Sequence, residues 1–391
     1  MGGTTRRRLL ASAGLAAGTV VSGSLPASAA ARGGGRLPFH GRYQGGITTP
    51  PQAHLRFAAF DVAGSRTDLA DLLRAWSEAA ARMCDGEPVG PVGGDPASAP
   101  VDTGDAYGLP ASRLTVTIGL GPSLFDGRFG LRTSRPAPLA DLPAFRGDRL
   151  ETGRSGGDVG VQACADDRQV AFHAVRTLAR IGRGVVRARW SQAGFDSAPD
   201  GRTGRNLMGF KDGTNNLDAA DAAAMRRNVW VGRGDDPAWM RGGTYLVTRR
   251  IRTRIERWDA SDLDEQETDV GRRKVSGAPF GARSEFAPVV PEREPKHSHI
   301  MLANPRAAGS EAERILRRGY SFDDGLLPDG RLDAGLFFAA FQRDPRRQFV
   351  PIQRRLAEHD LLGEYLVHTG SAIFAVPPGC RAGGYVGDTL V

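Results

Sequence analysis

The chain has 391 residues, 40% of them hydrophobic and 25% charged, and its 52 lysines and arginines outnumber 44 acids for a formal charge of +8. Those proportions exclude a disordered chain and leave room for one large domain or two ordinary ones. Almost all the positive charge is arginine, scattered among acids and never interleaved with aromatics, which excludes a nucleic-acid groove while favouring anionic ligands.

From the start of the chain, TTRRRLL (4–10) precedes an apolar run that closes on small residues, with room for an A-x-A cleavage near Ala27, Ala29 or Ala31. Arg6-Arg7 after Thr5, with Leu9-Leu10 behind, is similar to a twin-arginine export signal over residues 1–31. An ordinary secretory signal and a membrane anchor are the alternatives, although the run is short and rich in Gly and Ser for a span. The expected partner is therefore the twin-arginine translocase, and the expected location is extracellular, in the cell wall or in a periplasm-like space. That route carries folded proteins, so a cofactor would be loaded before export.

Beyond a Gly-rich tether at 32–36, HLRFAAFDV (54–62) alternates as a strand does. TDLADLLRAWSEAAARM (67–83) puts Leu69, Leu72, Leu73, Trp76, Ala80 and Met83 on one helical face. A long Pro/Gly/Asp loop (86–111) leads to a strand at 113–121. A second cycle predicts strand 158–166, helix 167–181 and strand 184–190, with GFKDGTNN (209–216) in the loop region beyond. The second half predicts a strand at 243–252 with a short helix behind it, a strand at 332–344, a helix at 347–366 and a closing strand at 371–379. Strand–helix–strand, twice in each half and joined too irregularly for parallel winding, implies an α+β fold of two ferredoxin-like halves whose sheets pack together. The division falls at 32–235 and 236–391, and the repetition is one of topology without repeated sequence.

Cys84, Cys164 and Cys380 fit no metal-ligand spacing, and three is an odd number for a disulfide scaffold. Buried free thiols are expected, so metal chemistry must come from His, Asp and Glu or from a cofactor. Among the histidines, His173 sits in an amphipathic helix as a packed or capping residue. His359 and His368 lie in or after a charged helix, and His40 and His54 lie near the N-terminus. KHSHIMLANPR (296–306) differs, because His299 opens an apolar stretch directly after a polar one; it reads as a structural residue or as a ligand. Arg317 and Arg318 follow, before a Gly-Tyr turn, and Asp212 stands between the glycines of GFKDG. A surface turn would explain those glycines but not Phe210 beside the charged pair. A metal-bound imidazole, a carboxylate and a guanidinium are the parts needed to cleave a peroxide heterolytically.

GFKDG matches the G-x-x-D-G motif of the dye-decolourising peroxidases, and SHIMLANPR with RILRRGYSF resembles the segment that holds their proximal histidine and distal arginine. GRYQGGITTPPQ (41–52), VQACADDRQVAFHAVR (161–176), RIERWD (254–259) and FVPIQRRL (349–356) resemble the exported subgroup that includes the deferrochelatase/peroxidase of bacterial iron uptake. The resemblance spans the mature chain. It implies duplicated ferredoxin-like halves of the dimeric α+β barrel type enclosing haem b.

By the same resemblance, His299 is the axial ligand to the haem iron, Asp212 the distal acid/base, and Arg317 the guanidinium over the haem, with Arg318 as the alternative. Gly209 and Gly213 let the backbone approach the macrocycle, Phe210 packs on its edge, and Thr214 lines it. Lys211, with TRRIRTR (248–254), either meets the propionates or forms a solvated basic face. Glu364 accepts the hydrogen bond from the other nitrogen of His299, with Asp360 as the alternative. The implied reaction uses hydrogen peroxide to oxidise dyes, phenols or other bulky reductants by one-electron steps. A carboxylate in that role predicts activity that falls above weakly acidic pH. Trp190, Trp230, Trp239, Trp258 and Tyr320 are the candidates for passing electrons inward. The alternatives are deferrochelatase-type release of iron from haem and a non-enzymatic haem carrier. Iron-uptake partner proteins and a homo-oligomer are compatible with the resemblance.

Overall fold

Two βαββαβ units follow one another in the computed structural model, which describes residues 35–196 and 202–391. The export segment expected at 1–31 lies outside the described residues. In the first unit, β1 (His54–Val62), α1 (Arg66–Cys84), β2 (Thr115–Leu120), β3 (Val159–Ala165), α2 (Arg168–Ile181) and β4 (Val186–Phe195) give an antiparallel sheet ordered β4-β1-β3-β2. After α3 (Ala222–Asn228) comes the second unit. It supplies β5 (Thr244–Thr253), α4 (Ile255–Asp259), α5 (Leu263–Val270), α6 (His299–Ala303), β6 (Leu316–Arg317), β7 (Tyr320–Leu326), β8 (Leu332–Gln342), α7 (Phe349–His359) and β9 (Leu366–Val376). Its sheet runs β9-β5-β8-β7, the same order of fourth, first, third and second strand. Single pairings at Leu120↔Ala375 and Phe195↔Ser321 join the two sheets into one closed antiparallel barrel. The predicted duplication of ferredoxin-like halves is what the chain adopts.

Local chemistry accounts for these elements. Ser65 caps α1 in a reciprocal box with Asp68, satisfying amide groups that a helix start leaves bare. β2 and β3 are buried at every position because one face meets the barrel interior and the other meets α1 and α2. Phe57, Leu246, Phe337 and Phe374 fill the barrel. Leu69, Leu73, Trp76 and Leu178 fasten the helices to the outer face of the first sheet. The three cysteines are buried and free, as expected.

The second half departs from the sequence reading in two places. The helix expected over 347–366 stops at His359, since Asp360 leaves the helical region and instead caps a 3-10 turn, Leu361–Glu364. β9 then begins at Leu366, earlier than predicted. The Gly-Tyr turn expected after Arg318 is strand: Leu316↔Phe341, Arg317↔Ala340 and Tyr320↔Phe337 keep one register along β8, so β6 and β7 are a single strand with a brief break.

Candidate active site

A cavity of about 540 Å³ opens on the outer face of the second sheet. Ile251 and Thr253 of β5 and Leu336 and Phe338 of β8 form its floor, with Ile352 and Leu356 of α7 at one side. His299, Asp212, Arg317, Phe210, Lys211, Gly213 and Thr214 all line it, so the structure brings most of the sequence candidates to one place.

His299 opens α6, and Arg355 of α7 ties that short helix down through the carbonyl of Leu302 at 3.0 Å. Its Nδ1 lies 2.7 Å from Oδ2 of the buried Asp360. Burial alone would lower the imidazole, but the charge and hydrogen bond of Asp360 outweigh it and hold His299 above its ordinary value; Arg317 and Asp212 are also felt there, with opposite signs. Glu364, expected in this position, is instead in an exposed ion pair with Arg257. The early end of α7 is the reason: it turns Asp360 inward and sends Glu364 to the surface.

Asp212 accepts a hydrogen bond from Nη1 of Arg317 at 2.8 Å. Two supports fix that pair. Asn216 donates from Nδ2 to the Arg317 carbonyl at 2.7 Å and accepts from its amide at 2.9 Å, clamping the strand end by its backbone. Arg205 donates to the carbonyl of Gly209 at 2.7 Å, and Asn206 accepts from the amides of Met208 and Phe210, shaping the turn. Gly209 itself does not line the cavity; its φ of +83° favours glycine, and a Cβ there would lie 2.9 Å from Lys274 Cε. Gly213, at φ +109°, does line it, with no atom within 4 Å of where a Cβ would stand.

Arg318 is a correction. Side chains alternate along a strand, so Arg317 faces the cavity while Arg318 follows Leu316 and Tyr320 inward. There it is buried and donates to the Thr49 carbonyl and to Gln52 Oε1. Lys211 pairs with Glu285, which also accepts from Thr214 Oγ1 at 2.8 Å. Burial pushes Glu285 up, yet the hydrogen bonds led by that of Lys211 hold it below the ordinary carboxylate range. Of TRRIRTR, the arginines turn elsewhere: Arg249 pairs with Asp148, Arg250 with Asp324 and Asp333, and Arg254 donates to the Glu364 carbonyl. Only Ile251 and Thr253 of that stretch reach the cavity.

The cationic side of the cavity was not evident in the sequence. Arg146, Arg272, Arg306 and Arg314 line it together with Arg317. Burial lowers Arg306, and Arg272 lowers it further, as closely placed cations do. Arg306 sits at φ +56°, unusual for a residue with a side chain, with Nη1 bonded to the Asn304 carbonyl at 2.6 Å. Loop arginines carry no periodic signal, although Arg306 closes the SHIMLANPR segment. Burial, then Arg249, pushes the lining His368 down to about 3.

An apolar slot, a cationic side and one imidazole braced at Nδ1 are the donor set that suits a flat macrocycle with acidic side groups and a central metal. Comparisons with known proteins agree. Residues 44–196 match the family model for the N-terminal part of Dyp-type peroxidases and 203–381 the model for the C-terminal part. The deferrochelatase of Escherichia coli K12 is 38% identical over 371 residues, covering 91% of this chain and 87% of that one. A DyP-type peroxidase from Streptomyces coelicolor superposes with a TM-score of 0.86 at 40% identity, covering 94% of this chain and 99% of that one. Ferric DtpA from Streptomyces lividans gives a TM-score of 0.85 at 40% identity, with the same coverage.

Proposed function

The chain belongs to the Dyp-type peroxidase family and is a haem-dependent peroxidase; from that premise we propose that the cavity would hold haem b, with His299 as the residue that would bind its iron, and that Asp212 and Arg317 act on hydrogen peroxide. When bound, the haem would supply the redox chemistry that turns peroxide into oxidising equivalents for the reductant. Asp360 holds the Nδ1 proton of His299, which leaves Nε2 as the nitrogen with a lone pair for the metal. Arg272 and Arg306 offer the propionates their guanidinium charge.

Arg317 engages only Oδ1 of Asp212. Oδ2 is thereby the atom that takes a proton from one peroxide oxygen and returns it to the other, so that water leaves. The guanidinium beside it stabilises the negative charge that builds as the oxygen–oxygen bond stretches. This contact, on the same cavity as the braced imidazole, is the observation that carries the reading. Asp212→Asn tests it. Peroxidase turnover should fall by about 10²–10⁴-fold while the haem absorption band stays at wild-type intensity; unchanged turnover would remove Asp212 from the reaction.

Dyes and phenols are the proposed reductants, with Trp190 as the residue that receives their electrons. Trp230, Trp239, Trp258 and Tyr320 are buried. Trp190 is half-buried and lines a separate cavity of about 430 Å³. Its indole stacks on Phe57 at 5.1 Å and meets the edge of Phe337, whose chain neighbours Leu336 and Phe338 line the haem cavity.

Release of iron from haem is the second reading, favoured by the 38% identity to proteins named deferrochelatase. Protoporphyrin accumulating after haem is added without peroxide would support it. For the first residues we propose twin-arginine export, which Arg6→Lys with Arg7→Lys should block, leaving the protein in the cytoplasmic fraction.

A further inference from the structure

On the far side of the His299–Asp360 pair lies a group of carboxylates that the peroxidase reaction does not use. Glu265 and Asp269 stand one turn apart on the same face of α5, and the 3-10 turn Leu361–Glu364 brings Glu364 beside them. One oxygen from each lies within 4.8 Å of the others. Asp269 is only 6% exposed and has neither a hydrogen bond nor an ion pair from its side chain. Glu265 accepts from the Tyr365 hydroxyl at 3.3 Å, and Arg257 pairs with Glu364 alone. A buried carboxylate facing two others is costly unless something positive sits between them.

We propose that Glu265, Asp269 and Glu364 bind a hard divalent cation of the Ca²⁺ or Mn²⁺ kind. All three donors are carboxylate oxygens, the set that suits such ions and not softer metals. Ligands held about 2.3–2.6 Å from a Ca²⁺ ion can be at most about 5 Å apart, which this cluster satisfies. Waters would complete the shell on the exposed side, where Glu265 and Glu364 lie.

Burial first, then Glu265, Glu364 and Asp360, push Asp269 up to about 6.

The test is an electron paramagnetic resonance titration of the haem-loaded protein with Mn²⁺ at pH 7.5, beside Asp269→Asn and Glu265→Gln. Wild type should take up one Mn²⁺ per chain, displaced by Ca²⁺, with affinity at least about tenfold weaker in either variant. Mn²⁺ should raise the melting temperature of wild type and leave that of Asp269→Asn unchanged. In EDTA the Asp269→Asn protein should melt no lower than wild type, which separates lost binding from lost folding. Absence of saturable uptake by wild type, or equal uptake by Asp269→Asn, overturns the proposal whatever the peroxidase activity proves to be.

Discussion

The two halves share a strand order and differ in what covers the outer face of their sheets. In the first, α1 of 19 residues and α2 of 14 lie on the sheet and seal it with Trp76, Leu69 and Leu178. In the second, the stretch that corresponds to α1 is broken into α4, α5 and α6, of five, eight and five residues. Short helices joined by loops cover a sheet incompletely, and the cavity is what they leave. One copy of the topology is spent on a core and the other on a site. Polar residues thus appear in the second half at places where the first half carries apolar ones.

That contrast can be broken most severely at His299. Replacing it with Ala should abolish retention of the haem absorption band while the melting transition survives, since α6 contributes no buried residue of its own. Trp76→Ala is the reciprocal experiment. Its indole donates to the Leu178 carbonyl at 2.8 Å and packs on Phe60, so truncation should cost about 3–5 kcal/mol of stability in a denaturant titration and leave the absorption spectrum of the surviving folded protein alone.

A smaller effect sharpens the assignment within the site. Asp360→Asn should lower haem affinity or turnover by about 10–100-fold, as loss of a ligand's hydrogen-bond partner does, whereas Glu364→Gln should leave both near wild type. The reverse order of effects would restore Glu364 as the partner of His299. A separate test concerns His368. Its folded value of about 3 lies below that of an unfolded histidine, so the unfolded chain binds the extra proton and stability is lost as pH falls from about 6.5 toward 3. His368→Gln should flatten the dependence of melting temperature on pH over that interval.

Periodicity placed α1, α2 and the first three strands to within two residues, because their apolar side chains are regularly spaced. The fourth strand, predicted at 184–190, runs on to Phe195, since its largely exposed side chains give no apolar pattern to follow. The second half resisted where regularity stops. Asp360-Leu361-Leu362-Gly363 continues a helical pattern on paper, yet the Asp360 side chain accepts from the Leu362 amide and starts a new turn, which is why Glu364 looked equivalent to Asp360. Arg317 and Arg318 are indistinguishable until a strand register exists to separate their faces. Asp212, His299 and Phe210 were legible from local motifs. Arg272 and Asn216 were not, since their roles depend on neighbours about 13 and 101 positions away.

The single register that β6 and β7 share along β8 makes the arginine doublet a parity device. One residue inserted at Gly319 would carry Arg318 into the slot that Arg317 holds opposite Ala340, and would force Arg317 into the place of Leu316, opposite Phe341. The cavity would keep a guanidinium, while the barrel interior would exchange Arg318, which is bonded to the Thr49 carbonyl and Gln52, for Arg317 in a place built for a leucine. Turnover and thermal tolerance, measured on that one variant, should part company: the first largely preserved, the second sharply reduced.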